Sequence, residues 1–221
     1  MTTTPALVPG PLFGLRTWSV VGARGEEVLE GPQQPAPWPG GGDWLTAACS
    51  LDPRHDAPAP GCTCGIHALH PRRSSARHVL GYRGRVCGVV EAGGAVEVHR
   101  DGFRAQRARP YAFFLTPRAN AALIGRLAEA YRAEVVRAAG ADDVLAWCRE
   151  RGLGLDAGVV DDLLGPDGLA AVRRARLRTR LRLAGVAVAI AAMLFLGLQF
   201  TANPGDRPLF GRTGPVNQGS P

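Results

Sequence analysis

The stretch that most constrains this chain is an apolar run near its carboxyl end, from Leu183 to Phe200. It holds 18 residues without a charge. As a helix that rises about 1.5 Å per residue it extends roughly 27 Å, close to the hydrocarbon thickness of a bilayer. A helix that is apolar on every side needs either lipid or a large protein interior to cover it. We therefore predict a single transmembrane helix over 183–200.

Six arginines stand immediately before this run and set its predicted orientation. Arginine-rich segments stay on the cytoplasmic side of a membrane, where their guanidinium groups meet anionic lipid headgroups. The prediction is a single pass through the cell membrane, with the N-terminal part in the cytoplasm and residues 201–221 as a disordered tail outside. The predicted headgroup contacts are Arg173, Arg174, Arg176, Arg178, Arg180 and Arg182.

The formal charge of +7 belongs to this C-terminal region. Residues 172–221 carry eight arginines against one aspartate, whereas residues 1–171 carry 18 arginines and 18 acidic residues. The neutral body makes nucleic acid an unlikely partner despite the basic total. The first residues lack a basic segment followed by an apolar core, so we expect no cleaved signal peptide. The five cysteines are accordingly expected as thiols or metal ligands.

The body of the chain has the pattern of an α+β fold. For residues 12–115 we predict an antiparallel β-rich domain, either a meander or a partial barrel. Strands are expected at 85–91 and 95–99, separated by a turn at 92–94. Asp101-Gly102 then supplies the two-residue loop favoured in hairpins, and strands at 103–109 and 111–115 follow.

A helical segment is predicted over 116–165. Thr116-Pro117 is typical of a helix start, and apolar residues at helical spacing continue to Val135 before Gly140 ends the helix. Shorter helices are expected at 142–151 and 159–164. We expect residues 1–11 to be disordered. For residues 166–182 we predict a basic juxtamembrane helix.

Thiols and imidazoles are concentrated between residues 49 and 70, which hold three of the five cysteines and three of the five histidines. Zn²⁺ takes four such ligands in a tetrahedron, so this density favours zinc as a cofactor. The C-x-C spacing is tighter than the usual C-x₂-C pair, and small buried residues or a reactive thiol would also explain it. If metal binds, the expected ligands are Cys49, His55, Cys62 and Cys64.

Arginines are also concentrated in the middle of the chain. Residues 72–109 carry nine of them against three acidic residues. A basic sheet face of this kind is able to receive phosphates or an acidic partner, with His99, Arg104 and Arg107 as candidate residues. Ion pairing with the acidic flanking regions is the alternative explanation.

Two stretches resemble a group of actinobacterial proteins that carries no established activity. The first, 55–68, matches an H-x-A-P…C-x-C-G-I-x-A segment. The second, 99–110, matches H-x-x-G-[YF]-R-A-x-x-A-x-P. The resemblance covers roughly residues 44–112 and implies a domain class rather than a reaction.

The leading functional hypothesis is a membrane-tethered cytoplasmic binding or adaptor domain with an unknown protein partner. It depends on the predicted anchor and on the lack of a complete catalytic motif in the sequence. One alternative is a zinc- or thiol-dependent enzyme that uses the 49–64 segment. A second alternative is anion or nucleic-acid binding by the arginine-rich face over 72–109.

Overall fold

Seven strands and four helices are found in the part of the chain that the computed structural model describes, which is residues 11–32 and 36–202. Of the last helix it describes only some side chains. The fold is α+β with a mixed sheet. In chain order the elements are β1 Leu12–Val21, β2 Val28–Glu30, β3 Leu45–Thr46, β4 Ile66–Leu69, α1 Arg73–Gly81, β5 Val86–Val98, β6 Gly102–Leu115, α2 Ala121–Tyr131, β7 Glu134–Arg137, α3 Ala141–Glu150 and α4 Ala157–Ala202.

The hairpin between β5 and β6 is the centre of the sheet. The predicted hairpin is present, with Val98 paired with Phe103, but its turn comes slightly earlier than predicted, because Gly102 is already the first residue of β6 and the amide of His99 donates to its carbonyl oxygen. The turn predicted at 92–94 is wrong, because β5 continues through these residues with only a register shift between Gly93 and Val96. Gly94 adopts a φ of +76°, so the glycine pair forms a bulge in a long strand rather than a turn.

Strand β6 carries neighbours along both of its edges. One edge pairs with β5. The other pairs in succession with β4 at 102–105, with β3 at 107–108 and with β7 at 112–115. The first two are antiparallel and β7 is parallel, so the sheet is mixed. The strands described within 12–115 pair antiparallel as predicted, and the parallel strand comes from the segment 116–165, which was wrongly predicted to be wholly helical.

The predicted long helix from 116 is also corrected. Helix α2 begins at Ala121, because the Asn120 side chain accepts a hydrogen bond of 3.1 Å from the amide of Leu123 and caps the helix. The helix ends at Arg132, which has left-handed backbone angles. Val135 therefore lies in β7, where hydrogen bonding to β6 replaces the predicted helical turn.

Strands β1, β4, β6 and β5 pair in a closed circuit. Hydrophobic side chains pack in two separate cores, one on each face of the sheet. One core includes Trp18, Phe113 and Tyr131 and is covered by α2. The other includes Phe114 and Trp147 and is covered by α1 and α3. Helix α1 was not predicted from the sequence.

The predicted transmembrane helix is wrong. Residues 183–200 lie in α4, but among the described residues no helix is both long enough and apolar enough to cross a bilayer. The predicted single-pass localisation in the cell membrane depended on this helix and is wrong as well. The same holds for the membrane tether in the functional hypothesis.

The arginines before this run lie in the same helix. Arg174 and Arg178 are exposed, and the side chains of Arg173, Arg176, Arg180 and Arg182 are outside the described residues. Their predicted role as membrane-interface residues depended on the transmembrane helix. The predicted disordered ends fall almost wholly on residues 1–10 and 203–221, which are also outside the described part.

Helix α4 contains a break at Gly165, where φ is +62° and ψ is 176°. The following Pro166 disfavours helical angles at the residue before it, which accounts for the break. The predicted helix at 159–164 is confirmed as the part before the break. The chain divides into two compact units, one that ends at Leu169 and one that begins at Ala170. All the site residues discussed below belong to the first unit.

Candidate metal centre

The segment 47–65 connects β3 to β4 and contains no helix or strand. A connection of this length without secondary structure is uncommon inside a folded domain and usually has a function. Its ends are fixed close together, because Thr46 pairs with Arg107 and Ile66 pairs with Ala105 on the same edge of β6. The segment therefore leaves the sheet and returns to it almost at the same place.

Four side chains of this segment converge on one point. Their ligand atoms all lie within 4.8 Å of one another, an arrangement that is able to hold a metal ion. The Sγ atoms of Cys49 and Cys62 are 3.6 Å apart, and Sγ of Cys64 is 3.4 Å from Nε2 of His55. These are the four residues that the sequence predicts as ligands.

The other residues of the cysteine and histidine cluster lie elsewhere. The ring of His67 on β4 contacts the carbonyl oxygen of Thr63 at 2.9 Å. His70 is fully buried, with Nε2 at 2.9 Å from the carbonyl oxygen of His99. Neither ring belongs to the group of converging ligand atoms, so the structure separates both histidines from the candidate site.

The small hydrophobic cluster under the segment is made of the candidate ligands and alanines. Cys49, Ala57, Ala59 and Cys64 are its buried members. Such small side chains bury little apolar area, so they contribute little to holding the segment in place. The segment needs a further source of stability, which a metal ion would provide.

The remaining cysteines lie in the main core. Burial raises the pKa of the Cys87 and Cys148 thiols to about 11, so both stay protonated at neutral pH. In the candidate site, the backbone amide of Cys64 donates to Cys62 and lowers the pKa of that thiol. Burial raises the pKa of the Cys64 thiol.

Arg104 forms hydrogen bonds to the backbone of the C-x-C turn. Its side chain is buried, and Nη1 donates to the main-chain carbonyl oxygens of Cys62 and of Cys64, the latter at 2.8 Å. Nη2 forms an ion pair with Glu97, and Nε donates to Nε2 of His99 at 3.3 Å. A fixed guanidinium that binds two carbonyl groups holds the backbone between the two thiols in one conformation.

Gly65 lets the turn approach Arg104 this closely. Its φ is +116°, a conformation that side-chain-bearing residues rarely adopt. A Cβ here would lie 3.2 Å from Cβ of Arg104 and 3.3 Å from Cβ of Pro58. The glycine that follows the C-x-C pair is thus required by the turn itself.

The candidate anion-binding residues do not form one surface. Successive residues of a strand point to opposite faces, so Arg104 and Arg107 are on different sides of β6. Arg107 is exposed and lies over the ring of Trp44 at 4.9 Å. His99 is near Arg104 and forms a contact of 3.2 Å with Glu97. Arg104 is engaged in ion pairing and carbonyl binding rather than displayed to a partner.

A cavity of about 850 Å³ lies beside the C-x-C turn. Cys62 and Thr63 contribute to its wall, together with residues of β1, β4, α1 and the β5–β6 turn. Arg16 on β1 also lines this cavity, and the sequence analysis did not identify it. The available signal was a single arginine within the otherwise apolar run of β1.

Comparison with known proteins adds no identity to this geometry. No family model, no curated protein and no solved structure matches the chain. The function must therefore be argued from the site itself.

Proposed function

We propose that this chain is a zinc-binding domain in which Cys49, His55, Cys62 and Cys64 hold one structural Zn²⁺ that cross-links segment 47–65. The observation that carries this proposal is the convergence of four ligand atoms within 4.8 Å in a segment with almost no core of its own. Without a ligand, three thiols and an imidazole have no evident reason to gather there.

The spacing of the ligand atoms fits a zinc tetrahedron. With Zn–S near 2.3 Å and Zn–N near 2.0 Å, tetrahedral geometry places two sulfurs about 3.8 Å apart and a sulfur and nitrogen about 3.5 Å apart. The separations in the chain are 3.6 Å for Cys49 to Cys62 and 3.4 Å for Cys64 to His55. The four atoms need only small movements to surround the ion.

The donor set also favours zinc over other metals. Thiolates are soft ligands that select zinc, copper(I) or iron–sulfur chemistry, whereas magnesium and calcium take oxygen ligands. A site with three thiolates and one imidazole is among the common sets of structural zinc. The Arg104 hydrogen bonds to the carbonyls of Cys62 and Cys64 would orient two of these ligands, as outer partners do in metal sites.

A structural role is favoured over a catalytic one. Catalytic zinc keeps a coordination position open for water or substrate, and four protein ligands leave none. A nucleophilic Cys64 activated by His55 is less well supported, because Cys64 is only 4% exposed and burial raises the pKa of its thiol. We therefore infer a binding role for the domain rather than a reaction at these thiols.

The test is metal analysis of the purified full-length chain. We expect one zinc ion per chain by elemental analysis, and none in the Cys62→Ser/Cys64→Ser variant. Zinc present at a thousand times its dissociation constant stabilises the folded state by about 4 kcal/mol. At roughly 2–4 °C per kcal/mol for a domain of this size, the variant should melt about 10 °C lower.

Cys148→Ala is the matched control, since this buried thiol lies in the main core away from the site. It should lose stability through its cavity but keep a full complement of zinc. The proposal is wrong if the wild-type chain takes up no zinc from a micromolar solution and the double serine variant melts at the wild-type temperature.

A further inference from the structure

The cavity beside the C-x-C turn is lined by a half-buried cation. Arg16 of β1 lines it. Within the described residues, its guanidinium has two partners: Nη1 donates to the carbonyl oxygen of His67, and the group lies 5.2 Å from the ring of Trp38. Its Nε is buried without a hydrogen-bond partner among those residues.

Such an arrangement is unfavourable for the protein alone. Arg16 is half-buried, and its Nε is removed from water without a hydrogen bond to replace it, which is unfavourable for a charged group. Arg104, Arg109 and Arg126 form ion pairs with glutamates, whereas the two contacts of Arg16 given above are to a carbonyl oxygen and to an aromatic ring. The uncompensated guanidinium indicates a position where a ligand supplies the negative charge.

The surroundings of Arg16 define the rest of the site. The cavity wall includes three arginines (Arg16, Arg85 and Arg104) and two carboxylates (Glu97 and Asp101), a balance of one positive charge. Glu97 is already paired with Arg104. With this pair set aside, the charged residues of the wall are two arginines and one aspartate, so the net charge that a ligand meets is positive.

The rest of the wall is partly apolar. Leu15, Leu69, Val79 and Phe103 contribute to it. The volume of about 850 Å³ is in the range of sites for small organic molecules, which combine apolar walls with a few polar groups. A bare inorganic ion would leave most of this space and its apolar wall unused.

We propose that this cavity binds a small organic anion, with a carboxylate or phosphate group paired with Arg16 and an apolar body on the Phe103 side of β1. The proposal goes beyond the zinc site, because Arg16 and the apolar wall belong to the sheet and α1 rather than to the metal-binding segment. Cys62 and Thr63 border the cavity, so the zinc-bound segment forms one of its sides.

The experiment uses the full-length chain and three probes: benzoate, its neutral analogue benzamide, and inorganic phosphate. Binding is measured by isothermal titration calorimetry and by the shift in melting temperature. We expect benzoate to bind and benzamide to bind at least tenfold more weakly, since a hydrogen bond to a charged group contributes about 1.5–3 kcal/mol. Binding of phosphate alone would assign the site to phosphate groups, and binding of benzoate alone would assign it to carboxylates.

Two substitutions locate the interaction. Arg16→Gln should weaken benzoate or phosphate binding by at least about tenfold, while Arg16→Lys should retain part of the affinity because it keeps the charge. Arg73→Gln is the matched control, since this arginine is exposed, pairs with Asp142 and does not line the cavity. It should bind as the wild type does.

Stability separates a binding role from a structural one. Without ligand, Arg16→Gln should melt no lower than the wild type, because the substitution removes an uncompensated charge. Should this variant fail to fold, the comparison of benzoate with benzamide on the wild-type chain still decides. The proposal is overturned if neither anion binds at 10 mM, if benzamide binds as tightly as benzoate, or if folded Arg16→Gln keeps full affinity.

The same titration on the Cys62→Ser/Cys64→Ser variant keeps the two proposals apart. Anion binding that depends on Arg16 and persists in a metal-free chain supports the cavity site, whatever the outcome for zinc. Zinc binding without any anion binding supports the metal site and ends the cavity proposal.

Discussion

Nη1 of Arg104 donates a hydrogen bond of 2.8 Å to the main-chain carbonyl oxygen of Cys64. A buried side chain of β6 thus binds the backbone of a segment 40 residues away in sequence. Through the ion pair with Glu97, the same guanidinium connects segment 47–65 to β5. The position of the candidate ligands therefore depends on the sheet as well as on the segment that carries them.

Replacement of Arg104 by methionine should affect stability and metal affinity together. The substitution leaves the largely buried Glu97 with only its His99 contact, and it leaves two carbonyl groups without the Arg104 donor. We expect the free energy of unfolding to fall by about 3–5 kcal/mol, measured by urea denaturation. Zinc should also be removed more readily by a competing chelator, because the ligand backbone is no longer held.

Arg107→Met is the control for this experiment. Arg107 lies on the same strand but is exposed, and its guanidinium lies over the ring of Trp44. Its loss should change the free energy of unfolding by about 1 kcal/mol or less. Equal effects of the two substitutions would contradict the role assigned to Arg104.

The ion pair between Glu27 and Arg126 should make stability depend on pH in the acid range. Nε of Arg126 donates to Glu27 at 3.0 Å, and this hydrogen bond is the main reason that the Glu27 pKa falls from 4.5 to about 2. A carboxyl whose pKa is lower in the folded state stabilises the protein above its unfolded pKa. This contribution is lost as the pH falls through about 4.5 toward 2.

Urea midpoints of wild type and Glu27→Gln, measured from pH 7 to pH 2.5, check this expectation. The variant should be less stable at pH 7, and the difference between the two proteins should shrink steadily below about pH 5. Acid also displaces metal from thiolate ligands, but it does so in both proteins, so the difference isolates Glu27. A constant difference across the range would contradict the assignment.

Two glycines in different surroundings should respond oppositely to alanine. Gly88 faces β6, and a Cβ there would collide with the carbonyl oxygen of Ala112 and lie 3.0 Å from its carbonyl carbon. Gly88→Ala should therefore destabilise the chain by about 1–3 kcal/mol, since the two strands must separate to admit it. Gly125 is exposed in α2 with no atom within 4 Å of a Cβ.

Gly125→Ala should stabilise the chain by about 0.5–1 kcal/mol, because alanine loses less backbone entropy in a helix. Thermal unfolding of the two variants beside the wild type measures both effects. A loss of stability at Gly125 would mean that α2 makes contacts on that side which the structure does not show.

The hydroxyl of Tyr131 connects α2 to the other end of the sheet. It accepts a hydrogen bond of 2.8 Å from the amide of Leu29 and donates one of 3.2 Å to the carbonyl of Trp38. Tyr131→Phe leaves both buried groups unpaired and should cost about 1–3 kcal/mol by urea denaturation. Tyr82→Phe removes an exposed hydroxyl bonded to His78 and should change stability by no more than about 0.5 kcal/mol.

Local patterns in the sequence predict part of this fold. The β5–β6 hairpin is predictable because Asp101-Gly102 lies between two runs of strand-forming residues. A pair of glycines is compatible with a bulge as well as with a turn. Gly93 and Gly94 therefore predicted a turn at a place where the strand contains a bulge. The pairing of β7 with β6 is parallel and depends on distant residues, so no short pattern indicates it.

The candidate site shows the same division. The four ligands are predictable because cysteine and histidine are scarce elsewhere in the chain and dense in this segment. Arg16 could not be predicted as a site residue, because its role depends on the residues that the fold places around it. Arg104 was selected for its charge, yet burial and the pairing with Glu97 give it a different role.

The attachment of segment 47–65 to β6 at both ends has a consequence for proteolysis. The chain contains no lysine, so trypsin has one cleavage site within the segment, after Arg54, whose side chain is 87% exposed. A cut there would place Cys49 on one fragment and His55 on the other. The two fragments would still be joined through neighbouring pairing positions on a single strand and, with zinc bound as proposed, through a shared ion, so the nicked molecule would separate only under denaturing conditions.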